Sequence, residues 1–361
     1  MNKKMMRNGI PGEYEKHYGT IVMYPIRNDI WRDNAYHMQK YIINLIFVIS
    51  KYEKVFFVCP KEHISKIKKQ LPKEVEFISI KYDDIWSRDI APTFTYKNGE
   101  LRCIDWKFNS WGGKKEGSYF PWDMDDQFAS KISNYLGKKC SRVNIVLEGG
   151  AIISDGNGTL FTTRSVLLNR NRNPFKTKEE IEKTILEATG DKKIVWLKRG
   201  LFMDETNGHV DNLMSFINPL EVCLAWTDDK HNPNYKRVRE AYNILQQCTN
   251  CHGEKYRIHL IPLPTMQYMK KEESKGLKNA DFSLERNEGD ILPASYLNFY
   301  LLNGAVIIPS FGCREDEIVL KKFKEIFRDR DIVQIYSREP LLGGGGIHCI
   351  LHEIPISEDK K

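Results

Sequence analysis

Short apolar runs and amphipathic stretches alternate along the whole chain. Strand-like runs stand at GTIVMYP (19–25), KVFFVCP (54–60), VNIVLEGGAIIS (143–154), GTLFTTRSVL (158–167), NLMSFI (212–217), EVCLAW (221–226), GAVIIPSFG (304–312) and DIVQIYS (331–337). Most lie beside glycine, proline or asparagine, the residues that punctuate strands. Between them, apolar residues recur at three- and four-residue spacing in NAYHMQKYIINLIFVISK, WDMDDQFASKISNYLG, TKEEIEKTILEATG and NPNYKRVREAYNILQQC, which predicts helices. The last two open on Thr177 and Asn232, placed as N-caps. A strand, a second strand, a helix and a further strand return at intervals of roughly sixty to eighty residues. This is a repeated ββαβ-like unit, not the strict βαβα alternation of a doubly wound sheet. Periodicity alone supports an α/β or α+β chain and is compatible with a repeat assembly. No Pro/Ser-rich linker divides it, so residues 1–361 read as a single domain.

Composition removes several function classes. Hydrophobic residues at 41% and charged residues at 29% are ordinary for a soluble globular protein. The longest apolar run, YIINLIFVIS (41–50), is too short to span a bilayer. The net charge of +7 invites a nucleic-acid reading. Its lysines and arginines are interleaved with acids, as in KTKEEIEK, which describes solvated helix faces and argues against a nucleic-acid partner. The basic N-terminus is followed by no apolar h-region, so a cytoplasmic location is expected. The eight cysteines then read as reduced thiols. Cys248, Cys251 and His252 (CTNCH) have half the spacing of a zinc site, but no second Cys/His pair matches them. No metal is expected.

Four polar groupings stand where an apolar run meets a loop. They are Trp86, Arg88 and Asp89 in IWSRDIAPTF; Glu148 in VLEGGAI; Asp204, Glu205, His209 and Asp211 in DETNGHVDN; and His348 and Cys349 in GGGGIHC. Each has a plain structural reading. Asp89 pairs with Arg88 or caps a turn, Asp204 caps a turn, and a lone cysteine is most often a small buried hydrophobe. Taken together they describe one chemistry. A cysteine nucleophile needs an acid/base partner, and histidine titrates in the right range. If GHVD is extended, His209 and Asp211 share a face. In an extended GGGGIHC, His348 points away from Cys349 and is structural. Three carboxylates suit a cationic substrate better than an oxyanion. A guanidinium is planar and pairs bidentately with carboxylates, and its charge beside a thiol lowers the thiol pKa. The glycines at 343–346 let backbone approach the bound group closely. The residues thus point to thiol attack on a guanidinium.

At these motifs the sequence resembles the agmatine deiminases of the guanidine-modifying, or pentein, superfamily. The similarity runs over nearly the whole chain: PGEYEKH, PIRNDIW, WSRDIAP, FNSWGG, LEGG, LLNRNRNP, GHVDN, LAWTDD, LPASYLNFY and LLGGGGIHCI. The resemblance implies a five-bladed α/β propeller of ββαβ units with its site on the central axis. It also implies Cys349 as nucleophile and His209 as general acid/base. Asp89, Glu148 and Asp211 would surround the guanidinium or orient the histidine. Glu205 would line the substrate channel near the amine tail, and Trp86 would form an apolar wall. The implied reaction is hydrolysis of agmatine to N-carbamoylputrescine and ammonia, in polyamine synthesis or agmatine catabolism, without metal or organic cofactor. A homodimer or larger homo-oligomer is implied too. Alternatives are a peptidyl-arginine deiminase, an amidinotransferase, or a non-catalytic binding member of the superfamily. Departures from the pattern are Ala91 in place of glycine, Asn207 in place of an acid or glycine, and a missing T-Q-Q after the cysteine.

Overall fold

The computed structural model describes residues 7–278 and 280–357. The chain enters through β1 (His17–Met23), the helix Tyr36–Ile49, β2 (Val55–Val58) and β3 (Glu76–Ile78). Next come β4 (Thr93–Lys97), β5 (Glu100–Lys107), the helix Phe128–Tyr135 and β6 (Cys140–Val146). A third group comprises β7 (Ile152–Ser154), β8 (Thr159–Thr163), the helix Lys178–Thr189 and β9 (Lys193–Leu197). Then follow β10 (Met214–Asn218), β11 (Glu221–Trp226), the helix Tyr235–Gln247 and β12 (Arg257–Pro262). A two-stranded excursion, β13 (Gln267–Tyr268) with β14 (Ile291–Leu292), precedes the last complete group. That group is β15 (Tyr300–Leu302), β16 (Ala305–Ser310), the helix Glu315–Ile326 and β17 (Asp331–Tyr336). β18 (Leu351–Pro355) is the last strand of the described chain.

Every group has one pairing scheme. Its first two strands are antiparallel, and the third lies parallel to the second after a helical crossover. The chain ends complete the same scheme. β18 pairs antiparallel with β1, which pairs parallel with β2, so the C-terminal strand supplies the first position of the N-terminal unit. Among the described residues this makes five ββαβ units, as a five-bladed α/β propeller requires.

The strands that read as continuous apolar runs are buried throughout. β2 is buried at every position and β16 at all but Ser310, because sheet and helix layers cover both faces. Thr177 caps its helix in a capping box, accepting from Glu180 N at 3.2 Å while Glu180 Oε2 accepts from Thr177 N at 2.7 Å. The cap expected at Asn232 is not made. The helix begins at Tyr235, and the residue before it, Asn234, turns its Oδ1 to Phe202 N at 2.7 Å. Asn232 Oδ1 instead accepts from Asn234 N at 2.9 Å, in the turn that precedes the helix. No helix among the described residues is long and apolar enough to cross a membrane.

Candidate active site

The residues that gather at the site lie in the short segments leading into the first strand of each unit. Asp89 is on the turn Ser87–Ile90 before β4, and Glu148 stands directly before the turn Gly149–Ala151 and β7. His209 and Asp211 precede β10, Asn298 precedes β15, and Cys349 lies in the turn His348–Ile350 before β18. Repetition of the unit therefore brings together side chains that are far apart in sequence.

All of these residues are buried. His209 Nε2 lies 3.4 Å from Glu148 Oε2, and its Nδ1 lies 3.9 Å from Asp89 Oδ1. Asp89 is held by Gly150 N at 2.8 Å and by Trp111 Nε1 at 2.8 Å. Cys349 Sγ is 3.2 Å from Asn298 Nδ2 and 3.9 Å from Asp211 Oδ2. A methyl group on Gly150 would meet His209 Nδ1 at 2.7 Å, Asp211 Oδ2 at 2.9 Å and Asp89 Oδ1 at 3.0 Å. Glycine is thus the only residue that fits where these three side chains converge. Asp211 Oδ1 is buried and has no hydrogen-bond partner, which leaves it open to a donor from a ligand.

A cleft of about 20 Å³, lined by Trp86, Asp89, Trp111, Glu205, Gly344 and Cys349 among others, opens onto the thiol. The Trp86 and Trp111 rings meet edge to face, 5.8 Å apart. The glycine run seats its neighbours: a Cβ on Gly345 would stand 2.4 Å from the Trp86 ring, and one on Gly344 2.4 Å from Glu205 Oε2. A larger cavity of about 500 Å³ is lined by Asp29, Leu277, Phe282, Leu284 and Arg286 among others, but neither the thiol nor the imidazole lines it.

Electrostatics set the resting protonation. Burial, together with the Asp211 and Asp89 charges, pushes the Cys349 thiol well above its ordinary value. Burial would lower His209, but Asp89, Glu148 and Asp211 outweigh it and raise the imidazole to about 9. Burial and the neighbouring acids raise Asp89 to about 6. Burial would raise Glu148 as well, yet the Arg172 guanidinium and His209 hold it below its ordinary value. These directions favour a neutral thiol and a charged imidazole before a cation binds. A cation bound against Asp89 and Asp211 would relieve the penalty on the thiolate.

Several expectations need correction. His209 and Asp211 are not on an extended strand edge; residues 208–212 are irregular, and Val210 O closes a turn by accepting from Leu213 N and Met214 N. The two side chains still converge, because the turn rather than the strand period aims them. The segment that holds His348 is a 3₁₀ turn and not extended, so strand alternation does not set the direction of its side chain. Its Nδ1 lies 2.9 Å from Asp211 Oδ2 and its Nε2 2.8 Å from Glu13 Oε2. Glu205 lines the cleft but is not a free carboxylate: Arg286 grips both its oxygens, Nη2 to Oε2 at 2.7 Å, and also reaches Gly343 O at 2.8 Å. Asp204 supports the loop, accepting from Thr206 N at 2.9 Å and from Asn212 Nδ2 at 3.0 Å. Arg88 pairs with Glu13 and Glu353, not with Asp89. Ala91 has φ −76° and ψ 161°, ordinary extended backbone that needs no glycine. Asn207 does occupy a glycine-like conformation, φ 70°, and its Oδ1 accepts from Arg172 and Asn171. Cys251 Sγ and His252 Nε2 both lie 3.2 Å from Asn157 O, and no cluster of three or more metal-binding side chains occurs among the described residues.

Two residues escaped sequence reasoning. Arg172, in LLNRNRNP, is fully buried and donates from Nε to Glu148 Oε1 at 2.5 Å, leaving Oε2 to His209. Asn298, in LPASYLNFY, touches the thiol. Both motifs were visible, but nothing local in either reveals a partner.

Residues 9–355 match the family model described as the Porphyromonas-type peptidyl-arginine deiminase. The chain belongs to this family. Among family relatives, a Listeria monocytogenes (serotype 4b, strain F2365) protein assigned as agmatine deiminase 1 is 43% identical over 348 residues, covering 96% of each chain. The solved agmatine deiminase of Enterococcus faecalis is 35% identical, with a TM-score of 0.92 over 98% of this chain and 96% of that one. A cysteine-to-serine variant of the C. jejuni agmatine deiminase, solved with substrate bound, is 25% identical with a TM-score of 0.83 over 98% and 97% of the two chains.

Proposed function

We propose that this chain is an agmatine deiminase, a hydrolase acting on the C–N bond of a linear amidine. The observation that carries the reading is the convergence of the His209 imidazole with the carboxylates of Asp89 and Asp211 on the buried space around Gly150, with Glu148 Oε2 3.4 Å from His209 Nε2 and the Cys349 thiol 3.9 Å from Asp211 Oδ2. The guanidinium enters along the Trp86–Trp111 wall and pairs with Asp89 and Asp211, whose Oδ1 has no protein donor. Its charge favours the thiolate, and the thiol proton leaves to water. The Cys349 thiolate attacks the guanidinium carbon and forms a C–S bond. His209, charged before substrate arrives, gives its proton to the departing nitrogen, and ammonia leaves an S-alkylthiouronium on the cysteine. The now neutral His209 takes a proton from water and hydroxide adds to the same carbon; the C–S bond then breaks, the hydroxyl proton passes to the departing sulfur, and N-carbamoylputrescine leaves with the thiol and the imidazolium restored. No step calls on a metal or organic cofactor. The enzyme is expected to be cytoplasmic and to assemble as a homodimer or larger, which light scattering would measure.

A second reading, deimination of peptidyl arginine, is favoured by the description of the family model itself. Incubating the protein with agmatine, free arginine and a blocked peptidyl arginine, while following ammonia and ureido product, separates the two. Turnover confined to agmatine supports the proposal. Turnover of the blocked arginine replaces it with protein citrullination, and silence on all three rejects both.

A further inference from the structure

The unit that begins with β15 contributes Asn298, two residues before Tyr300, just as Cys349 stands two residues before Leu351. Asn298 is buried, and the orientation of its amide is settled by its surroundings. Oδ1 accepts the backbone N–H of His348 at 2.9 Å, a group that can only donate. The NH₂ end therefore faces Asn212 Oδ1 at 2.9 Å and Cys349 Sγ at 3.2 Å. One N–H serves Asn212, and the second has the sulfur as its acceptor. The thiol state has other partners, Asp211 Oδ2 at 3.9 Å and Asn298 Oδ1 at 3.6 Å. Only the thiolate gains fully from a donor, and an uncharged one adds no repulsion toward a cationic substrate. Gly346 keeps the amide in place, since a Cβ there would stand 2.3 Å from Asn298 Oδ1.

We propose that Asn298 is a further catalytic residue, whose side-chain N–H stabilises the Cys349 thiolate and holds its sulfur at the attack position. The proposal rests on Cys349 being the nucleophile. A purely structural amide would anchor the glycine loop through Oδ1 and leave the reactivity of the sulfur unchanged.

The test is the pH dependence of Cys349 alkylation by iodoacetamide without substrate, followed by mass on the peptide that carries Cys349. Asn298→Ala removes both ends of the amide. Asn298→Asp keeps an acceptor for the His348 N–H but turns a carboxylate oxygen to the sulfur. Asn298→Ser, the mildest change, keeps a hydroxyl donor. The proposal expects the alkylation midpoint to rise by about one to two pH units in the alanine variant, at least as far in the aspartate variant, and less in the serine variant. Turnover in the alanine variant should fall at least tenfold in kcat with KM little changed. An unchanged midpoint in any folded alanine or aspartate variant overturns the proposal; if neither folds, an unchanged midpoint in the serine variant does so. Because alkylation needs no guanidine, a shifted midpoint in a protein that ignores agmatine would refute the substrate and keep the role of Asn298.

Discussion

Arg172 Nε and Glu148 Oε1 are 2.5 Å apart, and both side chains are fully buried. Arg172 also donates to Trp111 O, to Asn207 Oδ1 at 2.9 Å and to Thr206 O at 3.0 Å. One guanidinium thus ties together the loops that carry Asp89's tryptophan partner, Glu148 and His209. It cancels one of the three site carboxylates, so the charge left for a substrate comes from Asp89 and Asp211. Removing the arginine would strand a buried carboxylate. Arg172→Met is expected to lose about 3–5 kcal/mol of stability in urea unfolding. The double variant with Glu148→Gln should recover much of that loss while remaining inactive. Equal stability of wild type and Arg172→Met would show that the pair is dispensable.

Gly150→Ala tests the convergence point. The added methyl would sit within 3.0 Å of His209, Asp211 and Asp89. The variant is expected to fold, because the turn Gly149–Ala151 does not place Gly150 at positive φ, and to lose activity by about a hundredfold or more. Wild-type turnover in a folded Gly150→Ala protein would mean that the three side chains do not act together.

Stability should depend on alkaline pH. His209 and His348 are both raised to about 9, in each case because neighbouring carboxylates outweigh burial. His348 is faced by Glu13, Asp211 and Arg88. A raised histidine contributes stability fully below its unfolded pKa of about 6.5, and that contribution is lost as pH climbs through the folded value. The thermal midpoint should therefore fall between about pH 7 and 9.5. The fall should be shallower in His348→Gln. A flat profile in the wild type would contradict these ion pairs.

Arg286 is buried within an otherwise largely exposed stretch, and its grip on Glu205 and Gly343 O fastens that stretch to the cleft mouth. Arg286→Ala should accelerate limited trypsin cleavage at Lys275 and Lys278 without a comparable change elsewhere. Unaltered cleavage would show that the segment is held by its other contacts, such as Leu284 N to Ser118 O at 3.0 Å.

The unit and most of the gathering side chains were legible because strand and helix periods are local, and because Asp89, Glu148, His209 and Cys349 sit beside glycine, proline or other turn-forming residues. Closure of the ring was not, since β18 and β1 come from opposite chain ends. Arg172 and Asn298 were hidden for the same reason: their partners lie 24 and 51 residues away, and a buried arginine reads locally like a solvated one. The direction of His348 was not legible, because the chain makes a 3₁₀ turn there and alternation does not apply. Glu205 lines the cleft, but its pairing was not legible, because its partner Arg286 comes from 81 positions away.

The central claim is covalent attack by Cys349 on the guanidinium carbon. Acid quenching within the first turnovers of agmatine, followed by mass analysis of proteolytic peptides, tests it most directly. The account predicts a peptide carrying Cys349 that has gained the mass of agmatine less ammonia, and Cys349→Ala should lose both adduct and turnover. Turnover that survives in Cys349→Ala, or an adduct on another residue, would contradict it.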